Sequence, residues 1–411
     1  MISLLRTASP LQSAALHRGF AGIRAISLKL RAPLGVFMAY AWVFIASLYA
    51  TSPAFSQAQA NAERIRLEVI AESLEHAWAL GFLPSGRFLV TERVGRLRVI
   101  EADGRVSAPL AGLPRIDVGG QGGLLDLALD GNFERNRTLF LCFTEPGGGG
   151  NSTALARAEL SADERTLNSF QVIFSQQPKL PGRHHFGCRI VERSDGTLIL
   201  VLGERFSRMN DAQRLDNHLG KLVRVHKDGR VPADNPFIGH AQARPEIFSF
   251  GHRNPQGATL DAQGRLWIHE HGPQGGDEIN LPQPGRNYGW PVITHGEPYG
   301  GGKIGAGITH APGLEQPVHY WTPSIAPSGM TFLTSERYGA DWRGSLIVGS
   351  LKFGFLTRVV VSDTRVIREE RLLQSIGQRI RDVRQGPDGL LYVLTDAPNG
   401  RLIRLNPAQL P

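Results

Sequence analysis

From residue 65 onward, short apolar runs alternate with glycine-bearing turns, and one phrase recurs. A turn with glycine leads into a β-rich run, a few polar residues follow, and a second glycine opens a second β-rich run. It reads Gly86-Arg87-Phe88-Leu89-Val90-Thr91-Glu92, then Gly95-Arg96-Leu97-Arg98-Val99-Ile100. It returns at 195–201 with 220–225, at 264–268, at 344–348 with 355–360, and at 388–394 with 400–405. Apolar and β-branched runs bounded by Gly and Asp predict pairs of antiparallel strands joined by tight turns. Stretches with a helical period are scarce.

Recurrence of one strand pair over a chain too long for a single core predicts an architecture that grows by repetition. A β-propeller fits better than a sandwich or barrel. At roughly 50 to 60 residues per four-stranded blade, the expectation is an all-β, six-bladed propeller. The alternative is an all-β chain of two domains.

The front of the chain differs. Arg6, Arg18, Arg24, Lys29 and Arg31 are its charged residues up to position 31, none acidic, and 32–62 carries no charge at all. Residues 34–50 are almost wholly apolar, and Ala54-Phe55-Ser56 and Ala58-Gln59-Ala60 offer small-residue cleavage sites. This predicts an export signal over 1–56 and a propeller over 57–411, placed in the periplasm or secreted. An uncleaved segment is the alternative, and it would be the protein's one contact with a membrane.

Charge follows from that division. The whole chain has 45 basic and 37 acidic residues. Removing 1–56 takes away five basic residues and leaves 40 against 37. Basic residues stand singly among acids, which speaks against a nucleic-acid partner. Export would permit Cys142 and Cys188 to pair, though their positions alone do not establish it. Neither lies in a metal-ligand spacing.

Polar clusters beside the strand runs are the candidate chemistry, because propeller loops converge on the axis. His184-His185-Phe186-Gly187-Cys188-Arg189 precedes one strand pair, and Gly203-Glu204-Arg205 ends its first hairpin. A carboxylate there would orient an imidazole and raise its basicity. The window from 251 to 280 places Arg253, Asn254 and Gln256 in a turn, then presents Gly272-Pro273 and Asp277-Glu278-Ile279-Asn280. Arginine offers a planar fork for carboxylates, and carbonyls with carboxylates suit a hard cation. Gly119-Gly120-Gln121-Gly122-Gly123 is either a ligand loop or a tight turn. Lys352, Arg379 and Arg381 with Arg253 would form a positive pocket for a polycarboxylate, or else lie as surface charge on separate blades.

Taken in order, Gln121-Gly122-Gly123-Leu124-Leu125, His185 to Arg189, Gly251 to Gly257, Gly272 to Asn280, Asn287-Tyr288-Gly289-Trp290-Pro291, Ile325-Ala326-Pro327-Ser328 and Arg379-Ile380-Arg381-Asp382-Val383 resemble the soluble quinoprotein glucose/sorbosone dehydrogenase family. The likeness spans roughly 65–408 and is strongest to its bacterial periplasmic aldose sugar dehydrogenase branch. It implies a six-bladed propeller using pyrroloquinoline quinone (PQQ) and calcium. It implies His185 as the base for the sugar C1 hydroxyl, Glu204 as its supporting acid, and Arg253 beside the reactive quinone carbonyl. Gln121, Asn254, Gln256, Lys352, Arg379 and Arg381 would hold the cofactor. Carbonyls of Gly272 and Pro273 would hold its calcium. Asp277, Glu278 and Tyr288 would form a second, structural calcium site. The implied partners are an aldose and an electron acceptor, a quinone or a cytochrome.

Two departures stand out. Cys188 replaces a frequent glycine, so it either narrows the histidine loop or exposes the site to oxidation. His319-Tyr320-Trp321-Thr322-Pro323 aligns only loosely with a substrate-facing segment, and no Cys-x-x-Cys-His marks a haem domain. A calcium-dependent lactonase and a non-catalytic sugar- or protein-binding propeller are the rival readings.

Overall fold

The computed structural model describes residues 65–373 and 376–408. The expected export segment and its cleavage sites lie outside the described residues. The described chain folds into six antiparallel sheets, the blades of a β-propeller.

Blade 1 is β2 (Ala77–Phe82), β3 (Phe88–Glu92) and β4 (Arg96–Ile100). Blade 2 is β5 (Leu124–Leu129), β6 (Thr138–Gly147), β7 (Gly150–Leu160) and β8 (Leu167–Ser175). Blade 3 is β9 (Gly187–Glu192), β10 (Thr197–Leu202), β11 (Lys221–His226) and β12 (Ile247–Phe250). Blade 4 is β13 (Pro255–Leu260), β14 (Leu266–Glu270), β15 (Asp277–Asn280) and β16 (His319–Trp321). Blade 5 is β17 (Pro327–Phe332), β18 (Leu346–Ser350), β19 (Leu356–Ser362) and β20 (Arg365–Leu372). Blade 6 joins β21 (Arg379–Gln385), β22 (Leu391–Asp396) and β23 (Gly400–Pro407) to β1 (Ile65–Leu74) from the other end of the chain.

The recurring phrase therefore marks the second and third strands of blades, which lie inside the sheet in every four-stranded blade. Those strands are buried on both faces, as in β10 (Thr-Leu-Ile-Leu-Val-Leu), because each sheet is sandwiched between its neighbours. Outermost strands such as β8 and β20 mix exposed and buried positions. Blade 2 escaped the phrase: a helical turn at Phe133–Asn136 leads into β6, and the long β6–β7 hairpin turns through Gly148 and Gly149.

Apolar side chains gather between successive blades. Trp267, Ile279 and Trp321 of blade 4 meet Met330, Leu346 and Val348 of blade 5. Trp342 and Leu356 of blade 5 meet Ile380, Val393 and Ile403 of blade 6. Such a ring of small cores explains how a chain of this length avoids one oversized interior.

Two features hold the ring's joints. The first is the closing strand. β1 runs beside β23 from Ile65 opposite Pro407 to Leu74 opposite Gly400, and Arg404 Nη2 lies 2.8 Å from Glu68 Oε2. The second is Asp277, at the start of β15 and fully buried. Its Oδ1 accepts from Gly272 N at 2.9 Å, while Oδ2 accepts from Ser324 Oγ, Ile325 N and Ala326 N at 2.7, 2.8 and 2.9 Å. One carboxylate thus ties the 270s loop of blade 4 to the entry of blade 5.

Removing residues 65–74 should cost cooperative unfolding, because blade 6 loses its outer strand and Leu74 its buried place; calorimetry of the shortened protein checks this. Asp277→Asn turns an NH2 toward backbone donors and should cost roughly 3 kcal/mol, read as a lower urea midpoint at unchanged m.

Candidate active site

The first strand of each blade starts, and the second strand ends, at one rim. That rim is where most of the predicted residues lie. A cavity of about 220 Å³ opens there, lined by all six blades: Trp78 from blade 1, Gln121 before blade 2, Gly187 from blade 3, Asn254 and Gln256 from blade 4, Ala326 and Leu351 from blade 5, Arg379 and Arg381 from blade 6. A smaller void of about 10 Å³ is lined by Arg253, Glu270, Gly272, Glu278, Tyr288 and Trp290, and His271 borders both. Two wider clefts, about 450 and 480 Å³, hold none of the predicted residues and are lined by turns with acids and arginines such as Asp261 with Arg265 and Glu164 with Arg87.

His185 precedes β9 and Glu204 follows β10, so the antiparallel hairpin returns one beside the other. His185 Nδ1 lies 3.1 Å from Glu204 Oε2, and both side chains are buried. Burial pushes the His185 imidazole below its usual range, with Glu204 pulling the other way. The ring of Phe206 stands edge-on at 5.2 Å from His185. Phe206 N also donates to Glu204 Oε2.

The glycine-dense loop is a tight turn with one working side chain. Gln121 Oε1 accepts from His185 N at 2.8 Å. Gly123, at φ +155°, leaves no room for a side chain, since a Cβ would sit 1.7 Å from Arg93 O. Asn254 Oδ1 accepts from Gly187 N at 3.2 Å, so blades 2 and 4 both hold the histidine loop of blade 3.

Arg253 is buried. Its main-chain N donates to Glu270 Oε2 at 2.6 Å, and Nη1 donates to His271 O and Gly272 O at 3.0 and 2.7 Å. Its Nε has no partner, and Trp290 lies under the guanidinium at 5.2 Å. Burial lowers its affinity for the proton, while Glu204 and Tyr299 act to hold it charged. Tyr299, largely exposed on the loop between β15 and β16, reaches this guanidinium with its hydroxyl and carries no motif that sequence reading would have singled out.

Arg379 and Arg381 both line the larger cavity, as their spacing suggested. Asp396 Oδ2 stands 3.1 Å from Arg381 Nη2 and 3.6 Å from Arg379 Nε. Arg381 Nη1 donates to Gln256 Oε1 at 3.3 Å, and its buried Nε has no partner. Burial brings Arg381 down to about 10. Lys352 stands apart from this pair: it is exposed, with its ammonium 5.0 Å above the Phe353 ring, while its neighbour Leu351 lines the cavity.

Around the smaller void the charge is negative. Glu270 accepts from His252 Nδ1 at 2.9 Å, and Asn280 Nδ2 donates to both Glu270 Oε1 and Glu278 Oε2 at 3.2 Å. Burial, then the charge of Glu270, raises the Glu278 carboxyl. Asn280 Oδ1 is buried without a partner. Tyr288 stacks on His252 at 4.8 Å, its hydroxyl donating to Leu281 O. Of the second metal set read from sequence, Glu278 and Tyr288 border this void, while both oxygens of Asp277 are engaged by protein donors.

The residues fit the two groups that the resemblance implies. Buried arginines with unpaired Nε atoms suit a polycarboxylate. Two acids held together in a buried pocket with an unsatisfied amide oxygen, next to the Gly272–Pro273 step, suit a hard cation.

Known proteins share this sequence pattern and fold. The family model for glucose/sorbosone dehydrogenases matches residues 74–404. The chain is 44% identical to an aldose sugar dehydrogenase of Escherichia coli, over 89% of this chain and 98% of that one. The apo crystal structure of the soluble E. coli aldose sugar dehydrogenase superposes with a TM-score of 0.81 at 44% identity, covering 84% of this chain and all of the other. A PQQ-bound aldose sugar dehydrogenase of Streptomyces coelicolor superposes with a TM-score of 0.68 at 25% identity, covering 84% of this chain and 99% of that one. Six blades, a histidine–glutamate pair on the rim and buried arginines beside it thus occur in a chain that belongs to the glucose/sorbosone dehydrogenase family of quinoprotein sugar oxidoreductases.

Proposed function

We propose that this chain binds PQQ and calcium at the rim, oxidises the C1 hydroxyl of aldoses to lactones, and passes the electrons to an external quinone or cytochrome. The observation that carries the reading is the buried His185–Glu204 pair with the incompletely paired Arg253 near it, on a rim that also holds the incompletely paired Arg381. Gln121, Asn254, Gln256, Arg379 and Arg381 would hold the cofactor, with Lys352 reaching in from the mouth. The carbonyls of Gly272 and Pro273 would hold its calcium, and Glu278, Tyr288 and Asp277 would support a second ion. When bound, the quinone supplies a hydride acceptor whose carbonyl the calcium polarises.

The chain's own residues do the rest. Neutral His185 takes the hydroxyl proton as the C1–H bond breaks. Glu204 fixes the ring orientation through Nδ1 and stabilises the imidazolium that forms. Arg253, held by two carbonyls, keeps a fixed positive charge where negative charge develops. A lactonase would need free axial carboxylates; here the axial Asp126 and Asp382 are each paired with arginines.

Residues 57–411 would act in the periplasm or outside the cell after export by the segment 1–56. The Cys142–Cys188 bond supports an oxidising compartment.

Purified apoprotein, residues 57–411, should reduce a dye with aldoses only when both PQQ and calcium are added. No reduction together with no quinone binding by absorbance overturns the reading. His185→Ala should lower kcat by roughly 10²–10⁴-fold while the quinone still binds; unchanged turnover removes His185 from its role.

The pH dependence has a definite sign. His185 works unprotonated, and its affinity for the proton is depressed, so kcat should stay level through neutrality. It should fall only on the acid side of the usual imidazole value of about 6.5. Glu204→Gln removes a contact that favours protonation, so the acid limb should move further down; a pH–rate profile of both proteins checks this.

A further inference from the structure

The catalytic-histidine loop is unusual in its backbone and in what fastens it. Three of its four residues from His185 to Cys188 are left-handed: His185 at φ +52°, Gly187 at +69° and Cys188 at +82°. Gly187 suits this, since a Cβ would lie 2.7 Å from Val201 O. His185 and Cys188 carry side chains, and for them the conformation is costly unless the surroundings impose it.

Besides Asn254 on Gly187 N, three fastenings impose it. Gln121 Oε1 holds the amide of His185 at 2.8 Å, and Thr153 Oγ1 donates to Phe186 O at 2.7 Å. The third is covalent. Cys188, on β9 of blade 3, is bonded to Cys142, on β6 of blade 2, across 46 residues of sequence. Both cysteines are completely buried, and the chain has no free thiol. The sequence left open whether Cys188 narrows the loop or exposes the site to oxidation; bonded and buried, it offers no thiol to oxidise.

The geometry points to a role beyond general stability: we infer that the Cys142–Cys188 disulfide is a positioning element of the active site, keeping His185 in register with Glu204. The ladder between β9 and β10 already shifts between Leu200 and Leu202, where Gly187 pairs, so regular strand pairing does not by itself fix this end of the hairpin. Without the bond, Cys188 is free to return to the ordinary strand conformation. That rotation would propagate through Gly187 to His185 and carry the imidazole off the carboxylate, which is fixed to the other strand. Protein made where the bond cannot form would then keep its propeller and lose turnover.

The inference rests on the reading of His185 as the base, and the test separates the two. Cys142→Ala with Cys188→Gly removes the bond and gives position 188 the residue that its backbone favours. Cys142→Ala alone removes the bond and keeps the Cys188 side chain, so it should show the full effects below, whereas glycine at 188, at ease in the left-handed conformation, should show smaller ones. In the apoprotein, amide exchange at 185–188 should speed up by about tenfold or more, and the His185 imidazole, followed by NMR, should titrate closer to its usual range as burial is lost. In the reconstituted enzyme kcat should fall roughly tenfold to hundredfold. Wild-type exchange, titration and kcat in both variants, with only a lower melting temperature, would overturn the inference. So would failure of both variants to fold, which would assign the bond to the propeller as a whole. If wild-type enzyme oxidises no aldose, the functional reading fails, while the exchange and NMR results still decide whether the bond holds the loop.

Discussion

Four charges near the propeller axis set the positions of everything on the rim. Arg189 of β9 lies 2.8 Å from Asp126 of β5 and 3.0 Å from Asp382 of β21. Arg384 of β21 reaches the same two acids at 2.9 and 3.0 Å. Arg189 Nε also donates to Gln256 O of blade 4 at 3.0 Å, and its guanidinium lies 4.2 Å from the Trp78 ring of blade 1. One arginine thus connects its own blade to four others. Taking such groups out of water is costly, and the cost is offset only because every charge meets an opposite one and further hydrogen bonds. The arrangement tolerates little displacement of any innermost strand. That is what a site assembled from all six blades requires.

Above that hub the charge balance is left incomplete. Asp396 offsets part of the charge of Arg379 and Arg381, and two carbonyls take up part of Arg253, yet an Nε on each of Arg253 and Arg381 stays unpaired. The smaller void holds two acids side by side, and burial and the charge of Glu270 raise the Glu278 carboxyl so that it resists ionising. A rim with incompletely paired arginines beside a pocket whose second carboxyl ionises only when a positive partner arrives suits an anion and a cation held together.

Much of this was legible in the chain. Alternation of glycine turns and apolar runs revealed the middle strands, because those strands are buried on both faces and must be apolar throughout. Outer strands, partly solvated, left no such trace, and blade 2 lacked the opening glycine. His185 with Glu204, and Arg379 with Arg381, could be read because hairpin return and strand period bring near neighbours together. The axial hub could not, since Asp126 and Arg384 meet across 258 residues and each sits in an ordinary-looking strand. Tyr299 was hidden for the same reason: its loop between β15 and β16 has no periodicity, and only folding brings it to Arg253. Cys142 and Cys188 showed their chemistry only once two neighbouring blades stood side by side.

The sharing of blade 6 between the two ends of the chain has a consequence for biosynthesis. β1 is the first of the described strands to be made, yet its partner β23 is the last of them. Until β23 has been made, the propeller can be at most an open arc with one unpaired edge at each end. Ring closure is therefore the final event of assembly, and the nascent protein must keep an apolar strand out of wrong pairings until then. Because Ile65 lies opposite Pro407, these two points could be joined and the chain opened in a loop between any two blades, and every sheet would keep its strands.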